Sequence, residues 1–418
     1  MLSKLSNILK ITELRQKLVF TLVMFAIFRL GTHIPVPGVN ASVIEQLFTS
    51  GNLFGLLDLF SGGALSKFSI FAMSITPYIN ASIIMQLLTV VVPKFEQWAK
   101  EGDEGRKKIT QITRYGTVLL GFIQAIGMAF GLKVAIINPG IGSILLVALT
   151  LTAGTTFLMW LGEQITEKGI GNGISLIIFA GIVSSLPSGL YTIYEYVRAG
   201  TINYFNVLLF LIIAVAMIVF VIAIQQGQRR IPVQYAKRVV GRKMYGGHST
   251  HIPLKVNQAG VIPIIFASSV LMFPVTIAQF IDVSWVKTVA GWFAWGTPLQ
   301  TMLYALLIIF FTYFYTAVTM NISDMAENMK KHGGFIPGIR PGKPTADYLD
   351  RIMTRITLAG SIFLALIAIL PNFVGAITNL QSIHFGGTAL LIVVGVALDT
   401  MKQIEALVLM RHYQGFMK

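Results

Sequence analysis

Ten apolar stretches punctuate the chain, at roughly Leu18–Pro35, Ile70–Val92, Tyr115–Val134, Ser143–Gly162, Gly173–Tyr194, Phe205–Gln225, Ala259–Ile281, Thr301–Met320, Ile356–Pro371 and Gly386–Met401. A helix needs about 20 residues to cross a bilayer, and the stretches are close to that length. Their middles carry almost no ionisable side chain. The pattern predicts an all-α polytopic membrane protein with ten transmembrane helices.

The polar segments between them are asymmetric. Of the 32 lysines and arginines, only Arg29, Lys67, Lys133, Arg198 and Lys287 fall outside the amino-terminal segment, the loops after spans two, four, six and eight, and the tail. Basic loops stay on the cytoplasmic side, so both termini are expected there. Five spans precede Ala199–Asn203 and five follow, giving halves 1–200 and 201–418. Five is odd, so equivalent halves would be inverted about an axis in the membrane plane around a central path; no clear internal repeat accompanies this parity. Met1–Lys17 reads as a short amphipathic helix, and the first span, lacking a small-residue cleavage site, reads as retained.

Composition sharpens the picture. The chain is 55% hydrophobic and only 12% charged, against about 25% charged for soluble domains. The net charge of +15 is first a topology signal rather than a nucleic-acid signal. With no cysteine, disulfides, thiolate metal sites and cysteine nucleophiles are excluded.

Three features hold candidate chemistry. Leu53–Leu65 (LFGLLDLFSGGAL) is too short to span and contains Leu53, Phe54, Asp58, Phe60, Ser61 and the pair Gly62–Gly63. It fits either a re-entrant helix occluding a central cavity or an interfacial helix on the outer surface. Next, no carboxylate or histidine sits mid-span; Glu163, Asp399 and Asp282 lie near span ends, which argues against an ion-coupled carrier. The mid-span polar groups (Asn80, Gln86, Gln124, Thr150, Thr152, Ser268, Ser269) suit hydrogen bonds between helices, or a seam along which helices part. Finally, the loops at about 226–257 and 321–355 are long. Arg229, Arg230, Tyr235, Lys237, Arg238, Arg242, Lys243 and Tyr245 could grip RNA phosphates, or simply set topology and attract anionic lipids. In Pro337-Gly338-Ile339-Arg340-Pro341, prolines on both sides fix the pose of Arg340.

Other signals are empty. Gly169–Gly173 (GIGNG) follows no strand, and Gly342-Lys343 precedes Pro344 rather than Ser or Thr, so neither is a phosphate loop. His248 and His251 suggest no third metal ligand. No nucleophile–base pair stands out, so neither catalysis nor a cofactor is expected.

Several long stretches resemble the SecY/Sec61-alpha family: SGGALSKFSIFAMSITPYINASIIMQLL from Ser61, TRYGT from Thr113, FLMWLGEQITEKGIGNGIS from Phe157, GQRRIPVQYAKR from Gly227, STHIPLKVNQAGVIPIIFASS from Ser249, FIPGIRPG from Phe335 and FGGTALLIVV from Phe385. The resemblance implies a passive protein-conducting channel in the plasma membrane. It implies a plug at about 53–66, a hydrophobic pore ring of Ile75, Ile79, Ile178, Ile265 and Ile392, and a lateral gate between spans two and seven with Gln86 and Asn257 as polar members. It places Arg229, Arg230, Arg242, Lys243 and Arg340 at the surface that meets the ribosome or the motor ATPase SecA. SecE and SecG are the implied membrane partners; signal sequences and nascent polypeptides are the implied cargo. The residues alone leave two rivals open, a ten-span carrier for small solutes and a membrane scaffold or insertase without a pore.

Overall fold

The computed structural model describes residues 11–40, 43–44, 58, 61–200, 202–235, 238–240, 243–245, 249–280, 284–293, 297–378 and 387–415. Each predicted span falls on a helix: α1 Thr12–Gly31, α2 Thr76–Val91, α4 Asp103–Gly131, α5 Ile141–Lys168, α6 Gly173–Arg198, α7 Tyr204–Gln226, α8 Ile262–Phe280, α10 Pro298–Thr319, α12 Lys343–Thr378 and α13 Gly387–Gly415. Shorter helices are α3 Pro93–Lys100, α9 Ser284–Trp292 and α11 Ile322–Lys331. Among the described residues six helices are long and apolar enough to cross a membrane, and the bent pair α2–α3 would make a seventh. In α7, Phe205, Leu208, Leu211, Ile212, Val215 and Val219 are all more than half exposed, as a helix solvated by lipid requires.

Local chemistry sets the helix ends. Asn172 caps α6 by accepting the N–H groups of Ile174 (3.1 Å) and Ser175 (3.2 Å), and Thr297 caps α10 by accepting that of Gln300 (3.2 Å). Val92 is extended before Pro93, which has no N–H to continue the ladder; α3 therefore leaves α2 at 99°. The predicted second span begins too early. Residues 70–75 are turns rather than helix, with Ser74 at φ +52°, and α2 starts only at Thr76, with Pro77 in its first turn.

The long helices pack as two groups. α1, α2, α4, α5 and α6 contact one another, and so do α7, α8, α10, α12 and α13. The groups touch along two seams: α8 lies against α2 and α4, and α13 lies against α6.

At one end the two long basic loops, predicted only as extended connections, fold together. β1 (Gln228–Tyr235) pairs antiparallel with β4 (Ser249–Lys255) along one edge and with β5 (Gly334–Phe335) along the other. β2 (Arg238–Val240) and β3 (Lys243–Tyr245) form the tip of the first loop. Beneath the sheet, Ile231, Val233, Leu254, Met329, Ile336, Leu349, Ile352 and Met353 form a small core of their own. The all-α body thus carries a β-sheet cap joining both loops.

Candidate functional site

The predicted ring residues come from four helices that border the seams. Ile75, at the start of α2, is buried with Ile178 of α6 and Ile392 of α13 in one cluster, and Ile79 of α2 and Ile265 of α8 pack against it. Ile79 also touches the second large cluster, built on α8, α10 and α12. Spacing explains part of this: Ile75 and Ile79 are four apart and share a helix face. Ile174 and Ile182 continue the stripe of Ile178 by one turn each way and join the same cluster. Sequence reading passed over both, although the four-residue spacing was available to find them.

A cavity of about 390 Å³ opens beside this cluster. Its walls are mixed: the polar side chains are Asn172 and Ser175 from the start of α6, Gln225, Lys255, Asn257 and Gln258 from the segments flanking the sheet, and Asp399 and Gln403 from α13, set among Val261, Ile262, Tyr315 and Val396. Ser175, Ile262 and Val396 line it, and on their helices Ile178, Ile265 and Ile392 lie three or four residues deeper, about one turn. These three isoleucines therefore lie just beyond the lining of the chamber. The amide of Asn257 donates to the Gly260 carbonyl (3.0 Å). The Asn257 Oδ1, Gln225 Nε2 and Gln258 Oε1 are buried without a partner among the described residues, an arrangement that suits water or a polar chain in the chamber.

On the far side of the cluster lies the Ser61–Gly63 turn. The Asp58 Oδ1 accepts the N–H groups of Leu65 (3.0 Å) and Ser66 (2.8 Å), and the Ser61 hydroxyl donates to the Asp58 carbonyl (3.0 Å). Asp58 thus acts as the staple of the turn. Gly62 and Gly63 have φ of +69° and +83°, a region that side chains other than glycine rarely adopt. Ala64, next along, is wholly buried in the isoleucine cluster. Leu53, Phe54 and Phe60 of the predicted plug lie outside the described residues.

The two predicted gate residues lie on different segments. Gln86 is half-buried on α2, and Asn257 is buried in the chamber wall ahead of α8. No bond between them is seen among the described residues.

The SecY family profile matches residues 69–401. The chain belongs to the SecY family. It is 55% identical over 433 residues to protein translocase subunit SecY of Halalkalibacterium halodurans and 52% identical over 431 residues to that of Bacillus subtilis, covering 100% of both chains in each case. Two solved structures share its fold. A SecY channel whose plug domain stabilises the closed state and maintains a membrane seal matches with TM-score 0.68 at 19% identity, covering 94% of this chain and 92% of that one. Sec61 from the canine ribosome–channel complex matches with TM-score 0.65 at 18% identity and the same coverage.

On this SecY-family chain the predicted docking cations sit on the sheet cap. Arg229 and Arg230 are exposed on β1, and Lys243 begins β3; Arg242 lies outside the described residues. Arg340 is exposed on a pinned turn: its carbonyl accepts the hydroxyl of buried Thr345 (2.8 Å), Ile339 N–H donates to the Ile336 carbonyl (3.0 Å), and Gly338 has φ +82°. Thr345 was not singled out from the sequence, because its role depends on a contact made only in the folded turn.

Proposed function

We propose that this chain is the channel-forming subunit of a protein translocase, passing unfolded secretory polypeptides across the plasma membrane and releasing apolar segments sideways into lipid. The observation that carries the reading is the gathering of five isoleucines, from four helices and both halves, in and against one cluster beside a partly polar chamber. Stiff β-branched side chains make a narrow apolar waist, and such a constriction blocks ions by dewetting while an extended polypeptide can thread it. The segment at about 53–66 is the plug, and its described Ser61–Gly63 turn lies on the side of the waist opposite the chamber. The seam of α8 against α2 and α4 is the lateral gate, with Gln86 and Asn257 bordering it; a hydrophobic segment that reaches it partitions into lipid, its better solvent.

In this reading the chain crosses the membrane ten times, as two inverted halves, with both termini and the sheet cap in the cytoplasm. Arg229, Arg230, Arg242, Lys243 and Arg340 then face a ribosome or SecA, which supply the driving energy; SecE and SecG bind at the periphery, and anionic lipids meet the basic loops. The test is reconstitution of the full chain with its copurifying subunits. Inverted vesicles should import a signal-bearing precursor when SecA and ATP are added, and the idle channel in planar bilayers should hold back ions until residues 58–65 are removed. Saturable uptake of a small solute, or probes showing that the five isoleucines face acyl chains, would overturn the proposal.

A further inference from the structure

Arg29 breaks the charge pattern of the sequence, since it lies within the first predicted span. In the structure it occupies the last turn of α1, where the helix dipole favours a cation. Its Nη1 donates to the Gly62 carbonyl at 2.9 Å and to the Ser184 Oγ at 3.3 Å. One guanidinium thus joins three elements distant in sequence: α1, the Ser61–Gly63 turn and α6. Ser184 is prepared for this, because its own hydroxyl hydrogen is directed to the Gly181 carbonyl (2.8 Å), leaving its oxygen to accept. The turn also sits flush on α6. A Cβ added at Gly62 would lie 2.7 Å from the Ser184 Oγ and 3.1 Å from the Gly181 Cα.

We propose that Arg29 is the latch that holds the plug's carboxyl-terminal turn against α6 in the idle channel. The proposal rests on reading 53–66 as a plug. Both of its acceptors are neutral, so the contact can break without stranding a buried counter-charge, unlike an ion pair. Bonds within the turn, from Asp58, Ser61 and Ser66, keep it intact without Arg29; the turn can therefore detach as a unit when Arg29 lets go. Ser184 lies six residues beyond Ile178 on α6, about 9 Å along the axis. The latch is close enough for widening of the isoleucine waist to pull its acceptors apart.

The absence of cysteine gives a clean probe. Ala64→Cys places a thiol at a wholly buried position directly beside the latched turn. The full chain with its copurifying subunits would be labelled by a membrane-impermeant maleimide, and idle ion conductance measured in parallel. A hydrogen bond from a charged donor corresponds to roughly tenfold in an equilibrium, so Arg29→Gln should raise both the labelling rate and the open fraction by about threefold to tenfold. Ser184→Ala, which leaves the Gly62 bond, should give a smaller rise, and Arg29→Lys an intermediate one. Unchanged labelling in all three variants, with high conductance when residues 58–65 are deleted, overturns the latch but leaves the channel standing. No conductance even in that deletion overturns the channel reading itself, and a rise in Arg29→Gln labelling would then assign the latch a purely structural role. Should Arg29→Gln fail to assemble, Ser184→Ala and Arg29→Lys decide the matter by the same labelling rates.

Discussion

Ile178 on α6 and Ile392 on α13 lie in one buried cluster although they come from opposite halves of the chain. The seam that brings them together is a direct helix contact, so neither half can form the proposed waist alone. Residues sharing one cluster should not act independently. Ile178→Asn and Ile392→Asn should each raise the ion leak of the idle channel, and the double variant should leak less than the product of the two single effects. Planar-bilayer recording checks this; strictly multiplicative leaks would mean that the two side chains do not share a seal.

Ile79 occupies a different place, between the isoleucine cluster and the cluster of α8, α10 and α12. Ile79→Gly removes a branched side chain and adds backbone freedom to α2. It should open the waist and loosen the α2–α8 seam together. The expected result is greater leak with faster lateral release of a weakly hydrophobic signal segment, read by crosslinking to lipid. Leak without any change in release would confine Ile79 to the waist.

Asp58 is the staple of the Ser61–Gly63 turn, accepting two backbone N–H groups. Asp58→Ala leaves those donors without their partner and should destabilise the turn by about 2 kcal/mol. With the staple gone, Ala64 should become accessible to a thiol probe placed there as cysteine, while Asp58→Asn, which keeps one carbonyl acceptor, should restore most of the protection. Equal labelling of Asp58→Ala and the parent would show that the turn is held from outside.

How much of this was legible beforehand depends on the physics of each feature. An apolar run of about 20 residues has few alternatives to a spanning helix, so each predicted span falls on a helix and the ends shift: α4 and α12 begin well before Tyr115 and Ile356 and α13 runs past Met401, since polar turns extend these helices beyond their apolar runs, while α2 begins later than Ile70, where Pro77 and the positive φ of Ser74 delay it. The sheet cap escaped notice for a local reason. Ile231 and Val233 alternate with polar residues for barely one strand, and Pro232 reads as a strand breaker. Pro232 is tolerated because β5 reaches only Gln234 and Tyr235 of β1. Arg29 could be marked as an anomaly from the sequence, but its partners lie 33 and 155 residues away, and no short-range pattern encodes them. All five ring isoleucines, Ile75, Ile79, Ile178, Ile265 and Ile392, came from family resemblance; by themselves they are five isoleucines among many.

Arg340 tests whether the docking surface depends on charge, on pose, or on both. The guanidinium is exposed while its backbone is pinned by Thr345. Arg340→Glu reverses the charge without touching the pin and should abolish SecA-driven import into inverted vesicles while leaving assembly and the ion seal intact. Thr345→Val frees the turn but keeps the cation, and should lower import several-fold rather than abolish it, since the loop still samples the right pose.

The small core under the cap provides the last prediction. Leu254 is 1% exposed and packs with Ile231, Val233, Ile336 and Leu349, tying the first basic loop to the second. Leu254→Ala should cost about 2–4 kcal/mol by loss of burial and the cavity left behind. That is enough to loosen a unit this small, yet the core is separate from the isoleucine cluster. Protease cleavage near residues 236–248 should therefore rise sharply and docking of ribosomes or SecA should weaken, while idle conductance remains at the parent level. Loss of the seal in Leu254→Ala would instead mean that the cap and the waist fold as one cooperative body, and that docking at the cap can act on the waist through rigid structure.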